Sequence, residues 1–140
     1  MNDCVFCKIR DGQMPSLKVY EDERTLCIMD INPLNRGHCL VLTKAHAATI
    51  WDAKVADLQA AIATAQRVST ALREALAPDG LNMLQANGAA AFQSVFHYHL
   101  HLIPRWNNDG KGFDWKLVPG DRELIIRIGD KLRTALGGEA

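Results

Sequence analysis

The chain has 140 residues, 48% of them apolar and 23% charged, an ordinary balance for one compact domain with a single core. Sixteen basic side chains offset sixteen acidic ones, so no overall field draws in nucleic acid or an anionic membrane, and any phosphate must be held by local geometry. No stretch approaches the roughly 20 apolar residues of a membrane span, and the opening MNDCVFCKIRDG lacks the apolar run of a secretion signal; a cytoplasmic protein is expected.

In chain order, the first feature is C-V-F-C at Cys4 and Cys7. In a reducing compartment four cysteines do not suggest a disulfide framework, and this pair points to metal or redox chemistry. Cys27 and Cys39 sit among apolar residues, where free cysteine is commonly just buried. KVYEDE and TLCIMD read as a hairpin, and INPLNRGH, with Pro33, Asn35 and Gly37, as a loop leading into a third strand, CLVLT. Val55, Leu58, Ile62, Ala65, Val68, Leu72 and Leu76 recur every three or four residues and predict a helix from about Asp52, its cap, to Leu76. Pro78 and Gly80 stop it, LNMLQAN reads as a strand, and the small-residue loop GAAAFQ precedes a last strand that Pro104 ends. RWNNDGKGFDWKLVPG reads as a surface arm and DRELIIRIGDKLRTAL as an amphipathic helix. The expectation is one domain over 1–140, with 106–140 a C-terminal arm and helix. Its class is α+β: a five-stranded antiparallel sheet, one long helix and a C-terminal helix, with helices on one face.

The last strand contains HYHLHLIPR. Alternation puts His97, His99 and His101 on one side and Tyr98, Leu100 and Leu102 on the other. Three imidazoles resemble a three-histidine zinc site, but same-face side chains stand about 6.5–7 Å apart on a strand, too far for all three to reach one ion. The nucleophilic alternative keeps one ring neutral by a hydrogen bond at one nitrogen and attacks with the other, while neighbouring histidines handle protons. The middle ring is the natural attacker.

QSVFHYHLHLIPR closely resembles the signature of the histidine triad (HIT) superfamily of nucleotide hydrolases and transferases. The resemblance extends over CVFCKIRDGQMPSLKVYEDERTLCIMDINPLNRGHCLVLTKAH, hence roughly residues 4 to 105, and suggests a Hint-like or bacterial member with an N-terminal C-x-x-C. It implies a nucleotidyl group attached to His99 and then released to water, with His101 and His38 completing the catalytic histidines and Ser94 facing the phosphate and departing group. It places Asp30 against the ribose hydroxyls, Ile28, Ile31, Phe6 and Met14 around the base, and Gln93 and Asn87 with the substrate-binding set. Asp30 and Ser94 have turn formation as an alternative reading. Three positions depart from the pattern: Thr43 replaces a usual proline, Phe92 a usual glycine, and Asn87 is offset by one residue from the expected polar position, so it reaches phosphate only if the register shifts.

The resemblance also implies that Cys4 and Cys7 are joined by His46 and His97 in a closed structural zinc site, leaving His38, His99 and His101 for chemistry. A metal-free reduced pair and a redox pair are the alternatives. The implied function is cleavage at the α-phosphate of purine nucleotide conjugates, phosphoramidates or dinucleoside polyphosphates, by a homodimer. The competing classes are a nucleotide-binding or scaffolding protein with vestigial catalysis and a hydrolytic metalloenzyme.

Overall fold

The computed structural model describes residues 3–113 and 115–137; Asp114 and residues 138–140 of the expected arm and helix lie outside them. Five strands, β1 (Lys18–Glu21), β2 (Thr25–Met29), β3 (Cys39–Thr43), β4 (Gly80–Leu84) and β5 (His99–Arg105), form one antiparallel sheet in the order β1-β2-β3-β5-β4. The helices are α1 (Val5–Arg10), α2 (Val55–Leu76) and α3 (Arg122–Ala135).

The near-continuous apolar runs of β2 and β3 are buried on both faces, as central strands require. Cys27, Cys39 and Val41 join Tyr98, Leu100 and Leu102 beneath Ala61, Ala65 and Val68 of α2. On the other face Leu26, Ile28, Leu40 and Leu42 pack against Phe6 of α1. The expectation of helices on one face is thereby corrected: the short N-terminal helix covers the side opposite α2. Six residues carry too little periodicity to announce a helix.

The long helix begins three residues later than expected. Asp52 accepts from the Thr49 hydroxyl at 2.8 Å within a turn, and Lys54 occupies the cap position without a side-chain bond. Of the expected stripe, Leu58, Ala65, Val68 and Leu72 meet the core, while Val55 and Ile62 are 67% and 48% exposed; Asp57, Ala61 and Thr64 are buried beside them. Small inward side chains let α2 lie close to the sheet. The polar ones are matched there, since Thr64 shares a 2.7 Å hydroxyl contact with Thr25 and Asp57 accepts from Arg24 at 2.8 Å.

Pro104 does not end β5 but lies within it, paired opposite Leu81. Pairing with β3 stops at Leu102, so the proline stands where β5 has a neighbour on one side only and its missing donor is tolerated. Just beyond, Asp109 accepts from the Arg105 guanidinium at 2.9 and 3.0 Å and from Asn35 at 3.0 Å, clasping the start of the arm to the loop before β3. The arm leads to α3, capped by Asp121 and with no buried residue among those described. Leu124, Ile125, Ile126, Ile128 and Leu132 are left exposed. Among the described residues, no helix is long and apolar enough to cross a membrane.

Candidate active site

The cysteine pair is positioned by α1. Cys4 caps the helix, its sulfur accepting from the Cys7 amide at 3.3 Å, so the two thiols lie one turn apart on one side. His97, just before β5, donates from Nε2 to the Thr43 carbonyl at 2.6 Å, which leaves the Nδ1 lone pair facing Cys4 Sγ at 3.3 Å, Cys7 Sγ at 3.5 Å and His46 Nδ1 at 3.2 Å. Cys7 Sγ is 3.3 Å from His46 Nδ1. A tetrahedral zinc at usual bond lengths separates its ligand atoms by about 3.3–3.8 Å, so these residues fit a closed Cys2His2 ion. Burial and the neighbouring Cys4 push the Cys7 thiol above its ordinary range, a cost that a bound cation reverses.

His97 is therefore turned away from its two neighbours, and the reading of three histidines on one ion fails. His99 and His101 follow on β5, opposite Leu42 and Leu40. His99 is buried and donates from Nδ1 to the His97 carbonyl at 2.7 Å, so its Nε2 holds the lone pair. The edge of Phe6 closes on its ring, centroids 5.0 Å apart. In the loop before β3, the Leu34 amide donates to His38 Nδ1 at 2.9 Å, and the proton of neutral His38 must then sit on Nε2, which lies 3.0 Å from His101 Nδ1 and 3.4 Å from Asp30 Oδ2. Burial lowers the pKa of all three rings, His99, His101 and His38, with the nearby Asp30 carboxylate opposing the shift. Asp30, His38 and His101 bring three potential ligand atoms together, but the proton on His38 Nε2 disfavours an ion there.

These groups line a cleft of about 600 Å³. Its apolar lining includes Phe6, Ile9, Met14, Ile28, Ile31 and Leu34, and its polar lining includes Asp30, Ser94, His38, His99 and His101. Asp30 Oδ1 accepts from the Asn32 amide at 2.8 Å and forms a turn, while Oδ2 lies 3.4 Å from His38 Nε2 and the residue lines the cleft. Ile28 is a buried floor residue and Ile31, 83% exposed, stands at the mouth.

Two expected substrate contacts are directed elsewhere. Asn87 Oδ1 accepts from the Ile50 amide at 2.7 Å and its amide pairs with Gln85. Gln93 is buried, donating to the carbonyls of Ala48 and Val95 and accepting from the Gly88 amide at 2.7 Å. Both brace the loop that carries Ser94 rather than line the cleft. The contributions of the Leu34 amide and Thr43 carbonyl had no sequence signal, because any residue supplies a backbone group.

The HIT domain family model matches residues 11–108. The chain is 45% identical over 108 residues to adenylylsulfatase HINT3 of Arabidopsis thaliana, covering 77% of this chain and 55% of that longer protein. It is 34% identical to adenosine 5'-monophosphoramidase hnt1 of Schizosaccharomyces pombe, covering 95% and 98% of the two chains. A zinc-bound histidine triad family protein from Mycobacterium smegmatis superposes with a TM-score of 0.77 at 40% identity, over 97% and 96% of the chains. The order of strands, the paired histidines of β5 and these likenesses agree, and the chain belongs to the HIT family.

Proposed function

We propose that the protein is a nucleotidyl hydrolase or transferase that cleaves purine nucleotide conjugates at the α-phosphate through a covalent intermediate on His99. The observation that carries this reading is the fixed tautomer of His99, whose proton is committed to a backbone carbonyl while Nε2 is left bare beside Ser94 and His101. In the first step Nε2 attacks phosphorus and the bond to the departing group breaks. The resulting positive charge spreads over the ring and is stabilised through Nδ1–H by the His97 carbonyl. The departing atom takes a proton from the His38–His101 pair, which acts as the acid in its singly protonated, imidazolium form beside the Asp30 carboxylate. Water then attacks phosphorus, returns a proton to that pair, and the P–N bond breaks. The named activities of the two relatives, an adenylylsulfatase and an adenosine phosphoramidase, support conjugates of adenosine as substrates. The test is a turnover screen of adenosine phosphoramidates, adenylyl sulfate and diadenosine polyphosphates; no turnover of any of them favours a binding or scaffolding role.

The base lies against Ile28, Ile31 and Met14, and Asp30 grips the ribose. Asp30→Ala is expected to weaken adenosine monophosphate by about ten- to a hundredfold, the value of a charged acceptor for two hydroxyls, while barely altering the 2',3'-dideoxy analogue. Calorimetry on both ligands decides: equal losses return Asp30 to a purely structural turn.

Zinc at Cys4, Cys7, His46 and His97 is structural in this reading, holding α1 against the start of β5. The chain pairs as a homodimer in the cytoplasm, where its four thiols stay reduced. The outer edge of β4 and the exposed Val55, Ile62, Leu81 and Met83 give the physical motive. Light scattering at micromolar concentration should report twice the chain mass, and a monomer there refutes the pairing.

A further inference from the structure

The loop between β2 and β3 carries Leu34 and His38 into the cleft, and it lies beside the end of β5, beyond the last pairing with β3. There the Asn35 side chain takes the place of a neighbouring strand. Its amide donates to the Pro104 carbonyl at 3.1 Å and to Asp109 Oδ2 at 3.0 Å, which satisfies a backbone acceptor left over by the sheet and ties the loop to the arm. Asp109 is itself fixed, accepting from the Arg105 guanidinium and from the Trp106 and Lys111 amides at 3.1 and 2.9 Å. Arg36 lies over the Trp106 ring at 4.2 Å and adds a second tie between the same loop and the same arm.

These loop residues also hold His38. The Asn35 carbonyl accepts from the His38 amide at 3.2 Å, and the Leu34 amide donates to His38 Nδ1 at 2.9 Å. Gly37 turns at φ 84°, and a β-carbon there would come within 2.6 Å of Leu76 and 3.0 Å of Pro104, so the loop is pressed onto the end of β5 as well as bonded to it. Neither Asn35 nor Asp109 lines the cleft. What they hold in place is His38 Nε2, 3.0 Å from His101 Nδ1 and 3.4 Å from Asp30 Oδ2.

A displaced acid delivers its proton poorly, and the loss is felt only where the departing atom needs one. An amine leaves phosphorus with a proton added to its nitrogen, whereas sulfate leaves with the bonding electron pair as a stable anion and needs none. We propose that Asn35 and Asp109 are positioning residues for proton delivery by the His38–His101 pair, and that their clasp serves conjugates releasing an amine far more than those releasing sulfate. This rests on the nucleotidyl-transfer reading of the cleft.

The test compares kcat/KM on an adenosine N-alkylphosphoramidate and on adenylyl sulfate, because this ratio covers the steps through release of the leaving group. Asn35→Ala should lower it about ten- to a hundredfold on the phosphoramidate and less than about threefold on adenylyl sulfate. Asn35→Asp, of the same shape but without the donor, should show the same split, and Asp109→Ala a split in the same direction. Arg24→Ala, which breaks an ion pair with Asp57 away from this loop, should change both substrates alike. Equal losses on the two substrates in the Asn35 variants, or the same split in Arg24→Ala, overturn the proposal. A second readout needs no turnover: nitrogen-15 spectra at a pH that keeps the rings neutral should show His38 protonated at Nε2 in the wild type and as a mixture of tautomers in Asn35→Ala. An unchanged tautomer overturns the positioning role. A wild-type protein inactive on both conjugates removes the nucleotidyl reading, while a tautomer shift in the same samples still supports the hold of Asn35 on His38.

Discussion

His99→Ala is expected to lower turnover by about four orders of magnitude or more, as loss of an attacking nucleophile does, while adenosine monophosphate affinity stays within a few fold. The asymmetry follows from position. In the proposed reaction His99 Nε2 is the attacking atom, whereas the base and ribose are assigned to Ile28, Ile31, Met14 and Asp30, which also line the cleft. The buried ring fits between Phe6 and the carbonyl of His97, so alanine leaves a small void that should cost stability without unfolding the domain. His99→Asn serves as a second variant that keeps a polar group in the void and still lacks the nucleophile. Wild-type protein quenched during turnover should carry a nucleotidyl adduct on His99 by mass spectrometry. Normal activity with no adduct under several quench conditions would sink the covalent route.

Cys7→Ser should cost several kcal/mol of stability and lower zinc content from about one ion per chain, because the free energy of a closed structural site is largely folding free energy. Cys7 is the informative choice, being 3% exposed and within 3.5 Å of both ring nitrogens of the set. Turnover per folded molecule should fall far less than Tm. The route by which it does fall is explicit, since the carbonyl that fixes the His99 tautomer belongs to His97, itself a member of the cysteine-histidine set. Chelation should therefore lower thermal stability before it lowers turnover. Abrupt loss of chemistry on chelation, with unchanged Tm, would support a hydrolytic metal instead, and a metal-free protein of full stability would refute the site.

What could be read from residues alone follows from how each signal is carried. Strands β2, β3 and β5 were legible because their side chains declare the pleat and the burial, and the alternation of histidine with leucine in β5 announces two different faces. The stripe of α2 was legible in Leu58, Ala65, Val68 and Leu72, which meet the core, whereas the buried Asp57, Ala61 and Thr64 gave no large apolar signal and Val55 and Ile62 face outward. A proline ends a strand only where both flanks need its donor, and the sequence does not say where β3 begins. In the site, the two cysteines and two histidines that the fold brings together, and the histidines that line the cleft, were each named in advance. Asn87 and Gln93 were not recognised as loop braces, because an amide side chain looks the same whether it meets a ligand or the backbone of Ile50 or Ala48.

The division of labour along β5 sets how much length variation the chain tolerates. Leu100 and Leu102 enter the core beneath α2 while His99 and His101 enter the cleft, and the two sets are interleaved residue by residue. Inserting or deleting a single residue between 98 and 102 would exchange them, putting imidazoles into an apolar layer and leucines into the cleft, so the protein loses its hydrophobic interior and its chemistry in one event. An extra residue between the Asp109 clasp and Asp121 changes neither face. Indels that survive in a library of this chain should thus concentrate in that arm and be absent from the five positions around His99 and His101.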